Sequence, residues 1–391
     1  MPGVCHTPGM STDRYDVAVV GRGMIGAAAG RHLAEAGHRV ALIGPGEPAD
    51  RRTSEGPFCS HPDEGRITRI AARTQTWSDV AAPSIARYPD IAARSGIEFH
   101  TPCGFIAAYP DAADWVARAA KYGSDARLID AEWVRETTGI SITNGLGLVT
   151  EGAPAGYINP RRLVAAQTEL ARLGGADVID AAVSAVARAA GGFELAGSFG
   201  AVVADQILVA TGAFGSELFD WRLDVERRAR SIVMARLADD GRIPCLILDQ
   251  PPDDRVHEIY WVPPVAYPDG SVRIKIGGNR KDTILLEPDE LTDWFHGDGD
   301  PIEIESLTNN LFSLLPDAPL GDIVTAPCVI TGTPTGAPYI GWVDDGVAVA
   351  IAGNGSAAKS SDELGRLGST LFSEAGWDSP IDPTEFTPQF A

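Results

Sequence analysis

Three glycines, Gly21, Gly23 and Gly26, carry the first chemistry legible in the chain. They lie between an apolar, β-branched run, Tyr15 to Val20, and an alanine-rich stretch that reaches Ala36. This predicts a strand buried on both faces, a tight turn and a helix, with Gly37 as the stop and Arg39 to Ile43 as the next strand. Each glycine has a mechanical reason. Gly21 permits the turn, Gly23 leaves room for a pyrophosphate against the backbone, and Gly26 lets the helix pack closely on the sheet. Met24 and Ile25 fall on the first turn of that helix, whose free N–H groups and positive dipole end attract phosphate. The unit is expected to bind a dinucleotide. One customary part is missing: Gly44 stands where an Asp or Glu usually holds the ribose hydroxyls, and Glu47 is the candidate substitute. Arg51 and Arg52 follow. A missing acid with nearby arginines is also how a 2′-phosphate site looks, so this motif alone leaves flavin and nicotinamide dinucleotides open.

Later segments must position whatever this unit holds. Ile207 to Gly212 (ILVATG) reads as a second buried strand ending in Thr211 and Gly212. Val347 to Ala352 leads into Gly353, Asn354 and Gly355, then a helix expected to run through Leu371. Upstream of both, Asn159 is a good N-cap with Pro160 at the first helical position, and Ala176 to Ile179 begins another strand. Two strand-to-glycine returns beyond the first fit a cofactor gripped by distant segments. A simple nicotinamide dehydrogenase has no need of the last one. Pro251-Pro252 and Pro263-Pro264 bracket a strand-like HEIYWV, and Ser271 to Gly277 alternates apolar residues with Arg273 and Lys275. There are no internal repeats or low-complexity tracts.

Composition narrows the partners. Apolar residues make up 44% and charged residues 22%, the profile of a soluble globular protein. A net charge of -21 opposes the positive footprint that nucleic acid requires, and it disfavours anionic membranes. No apolar run approaches the roughly 20 residues of a membrane-spanning helix. Residues 1–12 lack an apolar core and are expected to be a disordered extension, not a signal peptide. Cys5, Cys59, Cys103, Cys245 and Cys328 are scattered, without a CxxC pair or His-Cys cluster. No metal site is expected, and an odd number of cysteines without a secretory signal points to reduced thiols in the cytoplasm.

Six segments in order, the βαβ opening, SHPDEGRITRI, GYINPRRLVAA, ILVATGAFGSEL, VRIKIGGN, and APCVITGTPTGAPYIGWV with AVAIAGNGSAAKSS, resemble the D-amino-acid oxidase superfamily. The resemblance is closest to the monomeric sarcosine oxidase branch with its N-methyl amino-acid oxidase relatives. It implies an α/β protein with a discontinuous Rossmann-like FAD-binding domain (13–85, 155–225 and 320–391). A second, substrate domain (86–154 and 226–319) would be built on a large mixed sheet. It implies FAD, an amino-acid-like substrate, oxygen as acceptor with hydrogen peroxide as product, and a monomer or small homo-oligomer.

Site residues follow by the same resemblance. Lys275 matches a lysine that contacts flavin N5 through water and promotes reaction with oxygen. Arg69 and Lys359 match a pair that holds the substrate carboxylate, one as a bidentate fork and one as a point charge. Arg66 matches an arginine near the flavin ring, and His61 opens the same motif. Cys328 matches the cysteine that forms a thioether to the flavin 8α-methyl group. Val183, Thr211, Gly212, Gly353, Asn354 and Gly355 are expected against the cofactor. Two departures reshape the pocket: Asn279 replaces a histidine beside the substrate, and Trp261 falls close to the position of an active-site tyrosine. Sarcosine itself is therefore not the expected substrate.

Overall fold

A computed structural model describes residues 14–59, 63–143, 145–238 and 241–391; His61 and the N-terminal extension lie outside them. The βαβ opening forms strand Arg14–Val20, helix Met24–Glu35 and strand Val40–Ile43, with the two strands parallel. Alternation along these strands feeds two cores. Val17, Val19, Val40 and Leu42 meet Leu33 and Leu364 of the helices, while Ala18, Val20, Ala41 and Ile43 meet Phe193, Leu195 and Val202. That two-sided cover is why the runs carry no polar alternation. Helix Met24–Glu35 packs against helices Pro160–Leu173 and Ser361–Thr370. Asn159 caps the former, its side chain accepting from Arg162 N at 3.0 Å.

Five strands run parallel in the order Asp177–Ile179, Val40–Ile43, Arg14–Val20, Gly200–Val209, Val347–Ile351. The three glycine turns thus leave the carboxyl ends of three adjacent strands, the place where open α/β sheets bind ligands. This Rossmann-like sheet draws on three separated stretches of the chain.

The second sheet has eight strands, in the order Ile323–Gly332, Glu226–Arg236, Val272–Arg280, Val256–Ala266, Cys245–Asp249, Phe105–Tyr109, Gly147–Glu151, Arg127–Ile129. All neighbours are antiparallel except the parallel pair Cys245–Asp249 and Phe105–Tyr109, so the sheet is mixed. One of its faces packs Trp261, Ile259, Ile274 and Ile276 against Leu307 and Leu311 of helix Pro301–Leu314. Two features differ from expectation. Ile323–Gly332, assigned above to the nucleotide-binding part, pairs along its length with Glu226–Arg236 and carries Cys328 into the second sheet. Pro263 and Pro264 do not bracket a strand but lie inside Val256–Ala266, where the register shifts between Val262 and Val265 and the missing N–H groups interrupt no regular ladder. Among the described residues no helix is long and apolar enough to cross a membrane.

Candidate active site

A cleft of about 1180 Å³ is lined by all three glycine turns and by residues of the second sheet. Its nucleotide half fits a dinucleotide. Gly21 has φ +107°, and a Cβ there would lie 2.4 Å from Ala210 O; a Cβ on Gly26 would lie 1.8 Å from Gly21 O. Both are demanded by the chain itself. Gly23 is different: a Cβ there would meet nothing within 4 Å, and the open space beside it is part of the cleft, where a pyrophosphate fits. It also caps helix Met24–Glu35 with no side-chain hydrogen bond, leaving the first N–H groups for an anion. The expected outcome for Gly23→Val is an apoprotein that melts like wild type but binds FAD at least about 100-fold more weakly, because only ligand space is filled. Calorimetry of FAD binding checks it; full affinity in the variant would contradict the assignment. Met24, Ile25, Val183, Thr211, Gly212, Gly353, Asn354 and Gly355 line the same cleft. Asn354, at φ 48°, accepts from Thr333 N at 2.9 Å and donates to Ala352 O at 2.8 Å, which fixes the last turn.

The missing ribose acid has a steric reason. A Cβ at Gly44 would lie 2.5 Å from Arg22 N, and Arg22 Nε donates to Gly44 O at 2.9 Å. Glu47 does not take its place: it is absent from the cleft lining, and Arg161 holds both its oxygens at 2.5 and 2.7 Å. The two arginines are likewise committed elsewhere. Arg51 donates to Phe295 O at 2.5 Å and Gly297 O at 2.7 Å, and Arg52 to His296 O at 3.1 Å. They pin the loop over helix Leu291–His296 rather than forming a 2′-phosphate site.

The other half of the cleft holds two cations, Arg69 and Lys359, that form no ion pair among the described residues. Arg69 is 8% exposed, and its Nε and Nη1 have no hydrogen-bond partner among the described residues. It lies 5.1 Å from the ring centroids of both Phe105 and Trp115. Glu151 positions the chain just beyond, accepting from Ile70 N at 3.0 Å and Ala71 N at 2.9 Å. Burial pushes Arg69 down to about 10, against the opposing pull of Glu151 and Glu258. Lys359, also buried, sits 4.9 Å from the Trp77 ring centroid and donates to Ser356 O at 3.0 Å. Desolvation, then the nearby Arg69, holds its ammonium well below the ordinary lysine range.

Tyr260, Glu258, Asn279 and Arg230 line the same cleft. Trp261 is not there. It is fully buried on the opposite face of its strand, packed with Leu307 and Leu311, and its Nε1 donates to Pro244 O at 2.9 Å. Strand alternation sends Tyr260 to the cleft instead, where its ring covers Gly277 of the next strand. Asn279 donates to Glu258 Oε1 at 2.7 Å and accepts from Arg230 Nε at 3.0 Å.

Lys275, Asp63 and Arg66 form a buried ionic cluster. Lys275 is not among the cleft-lining residues: its Nζ lies 2.6 Å from Asp63 Oδ2 and donates to Gly65 O at 2.6 Å, behind the Tyr260 ring. Burial lowers it to about 8 although Asp63 opposes the shift. Arg66 pairs with the same Asp63 and lines the cleft, its Nη2 4.0 Å from Cys328 Sγ. Cys328 lines it too, its thiol raised by burial and lowered in turn by Arg66.

Tyr260, Glu258, Asp63, Arg22 and Arg230 were not singled out by the sequence. For Tyr260 and Glu258 the signal was present, since alternation in HEIYWV puts them on one face and Trp261 on the other. For Arg230 no local pattern pointed to the cleft.

The profile of the family described as "DAO: FAD dependent oxidoreductase" matches residues 16–371, and the chain belongs to this family of FAD-dependent oxidoreductases. This agrees with the resemblance to the D-amino-acid oxidase superfamily read from the sequence, and the chain is an enzyme of that family. Among solved structures it is similar to NikD, "an unusual amino acid oxidase essential for nikkomycin biosynthesis", at 19% identity over 97% of this chain and 98% of that one, with a TM-score of 0.78. It is similar to the L-proline dehydrogenase from P. horikoshii at 16% identity over 96% and 98%, with a TM-score of 0.74. The glycine oxidase from Geobacillus kaustophilus follows at 20% identity over 96% and 98%, with a TM-score of 0.70. At these identities the likeness shows a shared fold. No curated protein sequence matches the chain.

Proposed function

We propose that the enzyme oxidises the amine C–H of a secondary, N-methylated or cyclic amino acid to an imine, with oxygen reduced to hydrogen peroxide. The observation that carries this is the buried Arg69, whose Nε and Nη1 have no partner among the described residues, beside Lys359 in the cleft that the glycine turns share. A buried guanidinium without a partner is costly, and a substrate carboxylate supplies what it lacks. Arg69 offers a planar fork and Lys359 a point charge, so together they fix the carboxylate and thereby the adjacent Cα–H. FAD, when bound, supplies the hydride acceptor. Tyr260 and the apolar wall of Trp77 exclude water from the reacting carbon. The structurally similar proteins, an amino acid oxidase, an L-proline dehydrogenase and a glycine oxidase, support the substrate class.

A panel of N-methyl and cyclic amino acids, assayed by oxygen uptake and peroxide release, tests the reading. Equimolar oxygen and peroxide are expected for at least one member. A second reading, a dehydrogenase with another acceptor, is favoured by one observation: Lys275 is tied to Asp63 and Gly65 and does not line the cleft. Substrate-driven bleaching without oxygen uptake would select it.

Cys328 is the proposed covalent anchor of FAD. The thioether replaces one S–H and one C–H bond, so its formation is a two-electron oxidation, with oxygen as the acceptor. Acid precipitation is expected to leave the yellow colour in the wild-type pellet and to release it from Cys328→Ser. Colour released from wild type would remove the bond from the account.

A further inference from the structure

Among the described residues four carboxylates line the cleft, and three of them, Glu55, Glu217 and Asp289, are exposed. Glu258 is the buried one, at 8% exposure. It stands on strand Val256–Ala266 directly opposite Asn279 of the neighbouring strand, and the side chains of Arg230, Asn279 and Glu258 form one hydrogen-bonded row across the floor. Asn279 occupies Glu258 Oε1, and Arg73 reaches Oε2 from the loop before helix Gln75–Ser95. A carboxylate has about four acceptor positions, so two stay available.

An amino acid delivered to Arg69 and Lys359 arrives at neutral pH with a protonated nitrogen. Its C–H is oxidised only when that nitrogen has a free lone pair. The proton therefore needs an acceptor inside the cleft. Among the described residues of the cleft the arginines are cations, Asn279 has no basic atom, the Tyr260 phenol is held protonated by burial, and the His257 ring is exposed, while Lys359 is engaged at the carboxylate end beside Arg69. Glu258 is the buried carboxylate that remains to take the proton. We propose, resting on the amino-acid reading above, that Glu258 accepts the proton of the substrate's ammonium and so selects substrates that arrive protonated. The N–H bond breaks and an O–H bond forms on Glu258. The pair left on nitrogen becomes the second bond of the imine as the hydride leaves carbon for the FAD that the cleft would hold. The proton then leaves past Arg73, whose side chain is half exposed.

The surroundings strengthen Glu258 as a base. Burial raises Glu258 above the ordinary carboxylate range, while Arg73, Arg69 and the Asn279 amide oppose the rise. Asp249 faces it across strand Cys245–Asp249, His257 precedes it and also lines the cleft, and Tyr109 shares Arg73. Burial favours the protonated carboxyl; Arg73 and Arg69 favour the carboxylate.

The test compares pH profiles of kcat/KM for holoenzyme and Glu258→Gln with the same amino acid. At pH 7 the variant is expected to be about 100-fold slower. The ratio should close as pH approaches the amine's own pKa, where substrate arrives neutral. A gap constant with pH, or no gap, would overturn the proposal. Arg73→Met asks the same question with Glu258 intact: losing that cation raises Glu258, so the acid limb must move to higher pH, and an unmoved limb counts against the base. Binding gives a readout without turnover. Racemic 2-methylproline, which lacks the α-hydrogen, is titrated calorimetrically in two buffers of different ionisation enthalpy. Glu258→Gln should release one more proton to buffer per ligand than wild type; equal release overturns the proposal. Wild type that neither binds nor turns over any amino acid would instead overturn the substrate reading beneath it.

Discussion

Replacing Arg69 by Met lowers kcat/KM by about a thousandfold, on the order of 4 kcal/mol, while the substrate-free protein melts no lower than wild type. The two halves have one cause. In the empty cleft the guanidinium is buried with Nε and Nη1 unpartnered, a burden of about 1–3 kcal/mol that its stacking on Phe105 and Trp115 only partly offsets. Methionine removes the unpaired polar atoms and keeps most of the volume. The melting temperature should hold or rise, on the order of 1–3 °C. With substrate the balance inverts, because the carboxylate is left facing Lys359 alone. A lowered melting temperature with FAD lost in parallel would make Arg69 a structural residue and remove the carboxylate site. Lys359 adds a pH signature. Its ammonium is depressed in the empty site, so its attraction for the carboxylate is present at low pH and lost as pH rises through that depressed value, and KM must climb on the alkaline side.

Lys275→Met is expected to slow the return of yellow colour on admitting oxygen by about 100- to 1000-fold, and anaerobic bleaching by less than about 10-fold. The charge that develops on oxygen needs a preorganised cation in a dry place, and Lys275 is 1% exposed. Its pairing with Asp63 keeps it charged against burial, and Arg66 remains to neutralise Asp63 in the variant. Because Lys275 sits at about 8, the wild-type oxygen rate should fall as pH passes upward through that region, and the variant should lose this limb. Stopped-flow measurement of each half separates them. Equal slowing of both would make the cluster a scaffold and the lysine no partner of oxygen.

The nucleotide half was largely legible because its constraints are local. Gly21 and Gly26 are forced by contacts with backbone a few residues or one strand away, and the flanking strands declare themselves by apolar runs covered on both faces. The substrate half was legible only in part because its constraints are tertiary. Trp261 and Tyr260 are adjacent in sequence, and which of them meets the cleft depends on the sheet face that helix Pro301–Leu314 covers. Gly44 read as a missing acid, yet it is a packing requirement set by Arg22. Glu47 was near enough in sequence to substitute, but Arg161, more than a hundred residues away, claims it. Cys328 was attached to the nucleotide-binding part by position, whereas its strand pairs with Glu226–Arg236.

The most direct measurement is the visible spectrum of the purified protein, recorded anaerobically before and after each member of a panel of secondary and cyclic amino acids. The account predicts a yellow protein whose flavin band bleaches with at least one of them, returns on admitting air with stoichiometric hydrogen peroxide, and fails to bleach in Arg69→Met. A yellow protein that no amino acid bleaches would contradict the proposed substrate class. A colourless protein that takes up no FAD would contradict the cofactor site itself.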